Sequence, residues 1–221
     1  MRKNNFTLIF LPLLLVGCQH IFANESNQAV FINDSYFDEL DPVAIAIQRD
    51  EIHFESGRSA DNCRSYLKEI KQSSVAETVN DQIIHTEYMI CEVYDLVKGT
   101  KIVSQKFSNS YGSVLANKLD LTSFRSSLNR RARTDGPVLK DIGEQFLTTD
   151  SSSVTYETEE WFYRLEVVAI SDFNRDGVKD WIVLLDDQSK VGNYHAGASL
   201  VVLGPTDIPL LKATTYSTFK P

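Results

Sequence analysis

Between residues 172 and 180 the chain reads Asp-Phe-Asn-Arg-Asp-Gly-Val-Lys-Asp. Oxygen-bearing side chains stand at alternate positions, Asp172, Asn174 and Asp176, and again at Asp180. Calcium takes six to eight oxygen ligands at about 2.3–2.6 Å and tolerates irregular geometry, so a tight loop of this pattern can wrap the ion. In such loops positions 1, 3 and 5 offer side-chain oxygens, position 6 is a bending glycine and position 7 offers a backbone carbonyl. Those positions fall on Asp172, Asn174, Asp176, Gly177 and the carbonyl of Val178, with Asp180 at position 9. A structural calcium ion is therefore the expected cofactor. The competing reading is a hairpin whose Asp, Asn and Gly residues satisfy turn backbone groups.

The elements around this loop decide what kind of motif it is. An EF-hand needs a bidentate Glu at position 12, which here is Val183. The flanks, 165–170 (LEVVAI) and 181–185 (WIVLL), are short apolar runs rich in β-branched residues and read as buried strands. A strand–loop–strand with D-F-N-x-D-G-x-x-D at its centre resembles the calcium loop of FG-GAP and VCBS-type repeats. That resemblance implies calcium on Asp172, Asn174, Asp176, the carbonyl of Val178, and Asp180. It covers residues 167–185, and the chain holds one copy. A propeller needs several blades, so neither the propeller nor its adhesive role is carried over.

The N-terminus gives an address. Arg2 and Lys3 precede an apolar run at 6–16 (FTLIFLPLLLV), too short to span a bilayer and of signal-peptide length. Leu15-Val16-Gly17-Cys18 resembles the lipobox of bacterial lipoproteins. The resemblance implies a signal peptide at 1–17, cleavage before Cys18, lipidation of its thiol, and an outer-membrane anchor facing the periplasm, since Gln19 rather than Asp follows. The alternative is cleavage after Ala23, releasing a soluble periplasmic protein. Three cysteines is an odd number. Lipidation of Cys18 leaves Cys63 and Cys91 to pair in an oxidising compartment, constraining the unfolded chain by roughly 3.6 kcal/mol in the entropic model. Removing Arg2 and Lys3 leaves 20 basic residues (22 − 2) against 30 acidic ones, near −10. That charge excludes nucleic acid as an expected partner.

Residues 18–41 are polar and read as a tether. Residues 42–221 then form an α+β globular domain, mainly an antiparallel sheet with helices packed on one face and the calcium-loop hairpin near the C-terminus. Two sub-lobes, 42–110 and 111–221, are expected. In the first, 43–54 and 83–97 read as strands, 61–72 as a helix, and 102–107 as the hairpin partner of 83–97 across the Lys98-Gly99 turn. In the second, 111–133 holds one or two helices ending before Gly136-Pro137. The segments 154–158, 161–170, 181–185, 198–203 and 210–216 read as strands.

Catalytic motifs are missing: there is no G-x-S-x-G elbow, H-E-x-x-H, phosphate-binding loop or dinucleotide fingerprint. His53 and His85 read as packed or edge histidines. His195, in the Gly-rich segment 192–197, is expected to return near Asp186, Asp187 and the cation loop, a constellation that a metal-assisted hydrolase would use. Glu157, Glu159 and Glu160 beside Trp161, Phe162 and Tyr163 offer the parts of a glycan site, although alternation explains them more simply. Arg125, Arg130, Arg131 and Arg133 form the one basic cluster and read as a solvated helix end. The expected function is a non-catalytic envelope lipoprotein, a binding or assembly module with an envelope protein or glycan as partner. The alternative is a glycan-acting or metal-assisted hydrolase using His195 and nearby carboxylates.

Overall fold

The computed structural model describes residues 29–108, 110–204 and 209–219. The expected signal segment 1–17, Cys18 and the first residues of the expected tether lie outside the described residues. In chain order the first half contains β1 (Ala29–Asn33), α1 (Asp34–Phe37), α2 (Pro42–Ile45), a small hairpin of β2 (Ile52–His53) and β3 (Ser59–Ala60), α3 (Cys63–Glu69), α4 (Val79–Val97) and β4 (Lys101–Gln105). The second half contains α5 (Tyr111–Lys118), α6 (Asn129–Thr134), α7 (Leu139–Gly143), β5 (Leu147–Thr149), β6 (Ser153–Glu157), β7 (Trp161–Ser171), β8 (Asp180–Ser189), β9 (His195–Val202) and β10 (Ala213–Thr215). Among the described residues no helix is long and apolar enough to cross a membrane.

The fold is α+β and its sheet is mainly antiparallel. Strands run in the order β10-β9-β8-β7-β1-β4, and β6, carrying β5, shares the edge of β7 with β1. Among the strands of the described residues the parallel pair is β1 with β4. Alternation along β8 sends Trp181, Val183 and Leu185 to one face and Ile182 and Leu184 to the other. Each face is covered. The first packs on Leu115, Leu128 and Leu139 from the α5–α7 region, the second on Tyr66, Tyr88 and Cys91 of α3 and α4. The helices expected on one face are thus divided between two. The physical reason is that β7 and β8 are apolar on both sides, so neither side can be left in water.

The sub-lobes expected at 42–110 and 111–221 are not separate: β4 from the first joins the sheet built by the second, through β1. The tether expected at 18–41 also ends early. From Ala29 the chain is part of the fold, with Val30 and Ile32 almost fully buried between β7 and β4. Glu166 of β7 fastens this segment, accepting from Tyr36 Oη at 3.0 Å and from Asn33 Nδ2, while Arg164 supplies its counter-charge at 2.8 Å.

The largest departure from the sequence reading is residues 83–97, a long helix and not a strand. β-Branched and aromatic residues favour strands, but the burial has helical spacing: Ile84, Tyr88 and Cys91 are buried, as are Met89, Val93 and Val97. Thr78 starts the helix, its Oγ1 accepting from Asp81 N at 3.1 Å. The 102–107 strand forms as β4 but pairs with β1, because its expected hairpin partner is helical. Residues 43–54 hold α2 and β2 rather than one strand. The cysteines pair as expected: a Cys63–Cys91 disulfide, Cα–Cα 5.2 Å, joins α3 to α4.

Candidate functional site

β8 has a chemically active region at each end. At its start lies the loop singled out in the sequence. Gly177 (φ 87°) and Arg175 (φ 64°) occupy the left-handed region and make the bend. The side-chain oxygens turn onto the loop's own backbone. Asp172 Oδ1 accepts from Asp176 N (3.0 Å) and Oδ2 from Gly177 N (2.9 Å). Asn174 Oδ1 accepts from Asp176 N, and Asp176 Oδ1 accepts from Val178 N. Asp180 is fully buried and takes three backbone N–H groups: Phe173 at 2.7 Å, Asn174 at 3.2 Å and Gly204 at 2.7 Å. It locks the loop to the end of β9.

Among the described residues no three His, Cys, Asp or Glu side chains are grouped as metal ligands. Asp180, which would be the position-9 ligand, faces inward and is engaged by its N–H donors. These hydrogen bonds close the loop.

At the far end of β8 the geometry is different. The β8–β9 register pairs Gln188 with His195, so His195 sits a strand's length from Asp180. At about 3.4 Å per residue that separation is on the order of 25 Å. His195 is therefore remote from the cation loop, contrary to the expectation, because β8 runs extended for its whole length. It does meet Asp186, Nε2 to Oδ1 at 2.8 Å. That hydrogen bond, reinforced by the charge, holds the imidazole pKa above its ordinary value against the opposing effect of burial. Asp187 points to the opposite face. Its buried carboxylate accepts from Ser127 N (2.7 Å), Ser127 Oγ (2.6 Å) and Tyr194 Oη (3.2 Å). Burial nonetheless raises its pKa, outweighing those three bonds.

Ser127, Tyr194 and His195 border a cleft of about 1160 Å³. One wall is the segment between α3 and α4 with the outer face of α4. The other is residues 125–127, and β9 from His195 to Ser199 runs between them. Glu92 of α4 lies in the first wall, almost fully buried. It accepts from Tyr66 Oη at 2.6 Å, and the same hydroxyl meets His85 Nε2 at 2.9 Å. Burial first, and the neighbouring Glu92 second, push the Tyr66 hydroxyl well above its ordinary pKa. Arg125 reaches Glu77 at 3.5 Å and so joins the two walls.

The cleft gathers residues that the sequence reading left apart. His85 and Glu92 are seven positions apart, two turns of α4 on one face; the segment read as a strand hid that relation. Gly197, expected in an open loop, lies in β9 under α4, where a Cβ would come within 2.7 Å of Met89 Sδ. Glycine allows the helix to approach there. The proposed glycan parts do not converge. Glu157 pairs with Lys190, Tyr163 is in the core, and Glu159 and Glu160 occupy the turn before β7. The basic cluster divides as well: Arg131 bonds Tyr156 Oη (2.6 Å) and the Ile142 carbonyl (2.8 Å), while Arg125 faces the cleft.

Comparison of the chain with protein-family models, with curated proteins and with solved structures found no match.

Proposed function

We propose that this chain is a non-catalytic binding module of the bacterial cell envelope, anchored through Cys18 at the outer membrane, with its ligand seated in the cleft along β9. The observation that carries this reading is the state of the cleft's polar groups. A binding site of this kind needs a concave surface with a few fixed polar groups. A nucleophilic site needs a hydroxyl or thiol bonded to a base. Here the Ser127 hydroxyl donates to Asp187, and His195 is held by Asp186. The Cys63–Cys91 disulfide supports an oxidising compartment.

Two measurements test the reading. Radiolabelled fatty acid should enter the wild-type protein and not Cys18→Ser. A photo-crosslinking amino acid at position 194, in the cleft, should capture a discrete envelope component in a bacterial host. The same amino acid at position 146, on the α7 side, should not. Equal capture at both positions would remove the cleft from the proposal.

The His195–Asp186 pair favours a second, hydrolytic reading, since an oriented histidine is half of a general-base arrangement. That reading requires wild-type protein to release fragments from purified peptidoglycan and His195→Ala to lose the activity. On the binding reading neither protein releases any.

A further inference from the structure

β9 is only partly covered by its outer neighbour. β10 pairs with Leu200, Val201 and Val202 and Tyr216 bonds Ser199, leaving the outer side of His195 to Ala198 without a strand beside it. In an antiparallel ladder successive residues turn their N–H and C=O groups to alternate sides. Tyr216 N donates to the Ser199 carbonyl on the β10 side, and Ser189 N donates to the Tyr194 carbonyl on the β8 side. Odd-numbered residues of β9 therefore direct their backbone groups away from β8. At His195 and Gly197 those groups open on the cleft, and among the described residues none is bonded by another segment. An edge of this kind is a template for a further strand.

The walls define what that strand can carry. Side chains of an added strand alternate between the two faces of the sheet. Those on the α4 side meet Glu55, Glu77 and the buried Glu92, together with His85. Those on the other side meet the small polar pair Ser126 and Ser127. Among the described residues Arg125 is the one arginine or lysine lining the cleft, and it already leans on Glu77.

From this geometry we infer that the cleft binds an extended peptide segment of a partner protein by strand addition to His195–Ala198, with basic side chains of that segment turned to the Glu55–Glu77–Glu92 wall. The inference rests on the cleft being the binding site, and it names the ligand class. The four open edge positions, His195 to Ala198, span about 13 Å, which a six-residue strand covers with a residue to spare at each end. The backbone ladder supplies sequence-tolerant affinity, and the acidic wall supplies selectivity. Glu77 exchanges Arg125 for the incoming cation.

The test uses the mature chain and fluorescein-labelled hexapeptides, read by anisotropy. Alternating valine and lysine is expected to bind with a Kd on the order of tens of micromolar, the range of about 6 kcal/mol. Alternating valine and glutamate should bind at least ten-fold more weakly. N-methylation of every second amide in one register should abolish binding, and in the other register should spare it, because only one set of amides faces β9. Glu77→Lys, at an exposed position, should weaken the basic peptide at least ten-fold, and Arg125→Ala should tighten it two- to three-fold. Equal binding of the acidic and basic peptides, or indifference to both N-methylated registers, overturns the inference. Concentration-dependent self-association in place of peptide binding also overturns it, assigning the edge to a second copy of the chain. Capture by the crosslinker at position 194 with no binding of any peptide leaves the cleft as the site and removes only the peptide.

Discussion

β8 carries a buried aspartate near each end, and the two do different work. Asp180 bonds three backbone N–H groups, two within its own loop and one at Gly204. Asp187 bonds a serine 60 residues away and a tyrosine on the hairpin. The first carboxylate closes a turn, and the second fixes one wall of a cleft against the sheet. A conspicuous sequence motif therefore marks the end of the strand that is satisfied internally. The end with open backbone and convergent side chains carries no motif. Local spacing reports local satisfaction, whereas a binding surface depends on contacts between distant segments.

The contrast is tested most strongly at Asp180. Hydrogen bonds to a charged group contribute about 1.5–3 kcal/mol each, and buried donors left unpaired cost more than the bonds return. Asp180→Ala is expected to destabilise by roughly 3–5 kcal/mol, measured by urea denaturation, and Asp172→Ala, at a partly exposed position, by about 1–2 kcal/mol. If Asp180→Ala lost less than about 1 kcal/mol, the lock between the loop and Gly204 would not be a stabilising feature.

Asp187 comes next, with a distinct pH signature. Its folded-state pKa is raised by burial. Its contribution is therefore complete below the ordinary carboxylate pKa, near 4, and declines as pH rises through the elevated value. Asp187→Asn keeps an acceptor for Ser127 but cannot ionise. It should flatten the fall in stability above about pH 4 while costing on the order of 1 kcal/mol at low pH. An unchanged pH profile in the variant would show that another group governs that limb. His195 gives a smaller effect of the same sign. Its pKa is raised mainly by the bond to Asp186, so the gain holds below about pH 6.5 and is lost as pH rises through the folded value. The pair is partly exposed, and screening keeps its worth well under 1 kcal/mol. His195→Gln should remove that small step from the denaturation midpoint between pH 6 and 8.

The two regions were unequally legible in the sequence. The strands from 154 onward, the helices of 111–133 and the Cys63–Cys91 pairing followed from alternation, breakers and cysteine count. α4 did not, because Ile83, Ile84, Ile90, Val93 and Val97 carry strand propensity. What decides the matter is the α3 and sheet surface on which Ile84, Tyr88 and Cys91 pack. Reading α4 as a strand also concealed the cleft: on a strand His85 and Glu92 fall on opposite faces, while on a helix they share one. β1 reads as tether because Asn33, Asp34 and Ser35 follow it directly. Its parallel pairing with β4, across the intervening helices, leaves no local trace. Ser127, Tyr194 and Asp187 meet only through tertiary packing.

The smallest expected effect is the sharpest test of the loop. A calcium site with a dissociation constant of about 1 mM would contribute about 1.4 kcal/mol at 10 mM calcium. In a chain of this size that raises the melting temperature by roughly 3–6 °C. The hydrogen-bonded loop gives another expectation: Asp180 must surrender donors before it can ligate, and Asp172 and Asn174 already accept from Asp176 N. The melting temperature in 10 mM calcium should therefore match that in excess chelator, for wild type and for Asp176→Ala alike. A rise in wild type that Asp176→Ala abolishes would mean that the loop rearranges around the ion. Both ends of β8 would then be ligand sites, and the difference drawn between them would be one of ligand rather than of purpose.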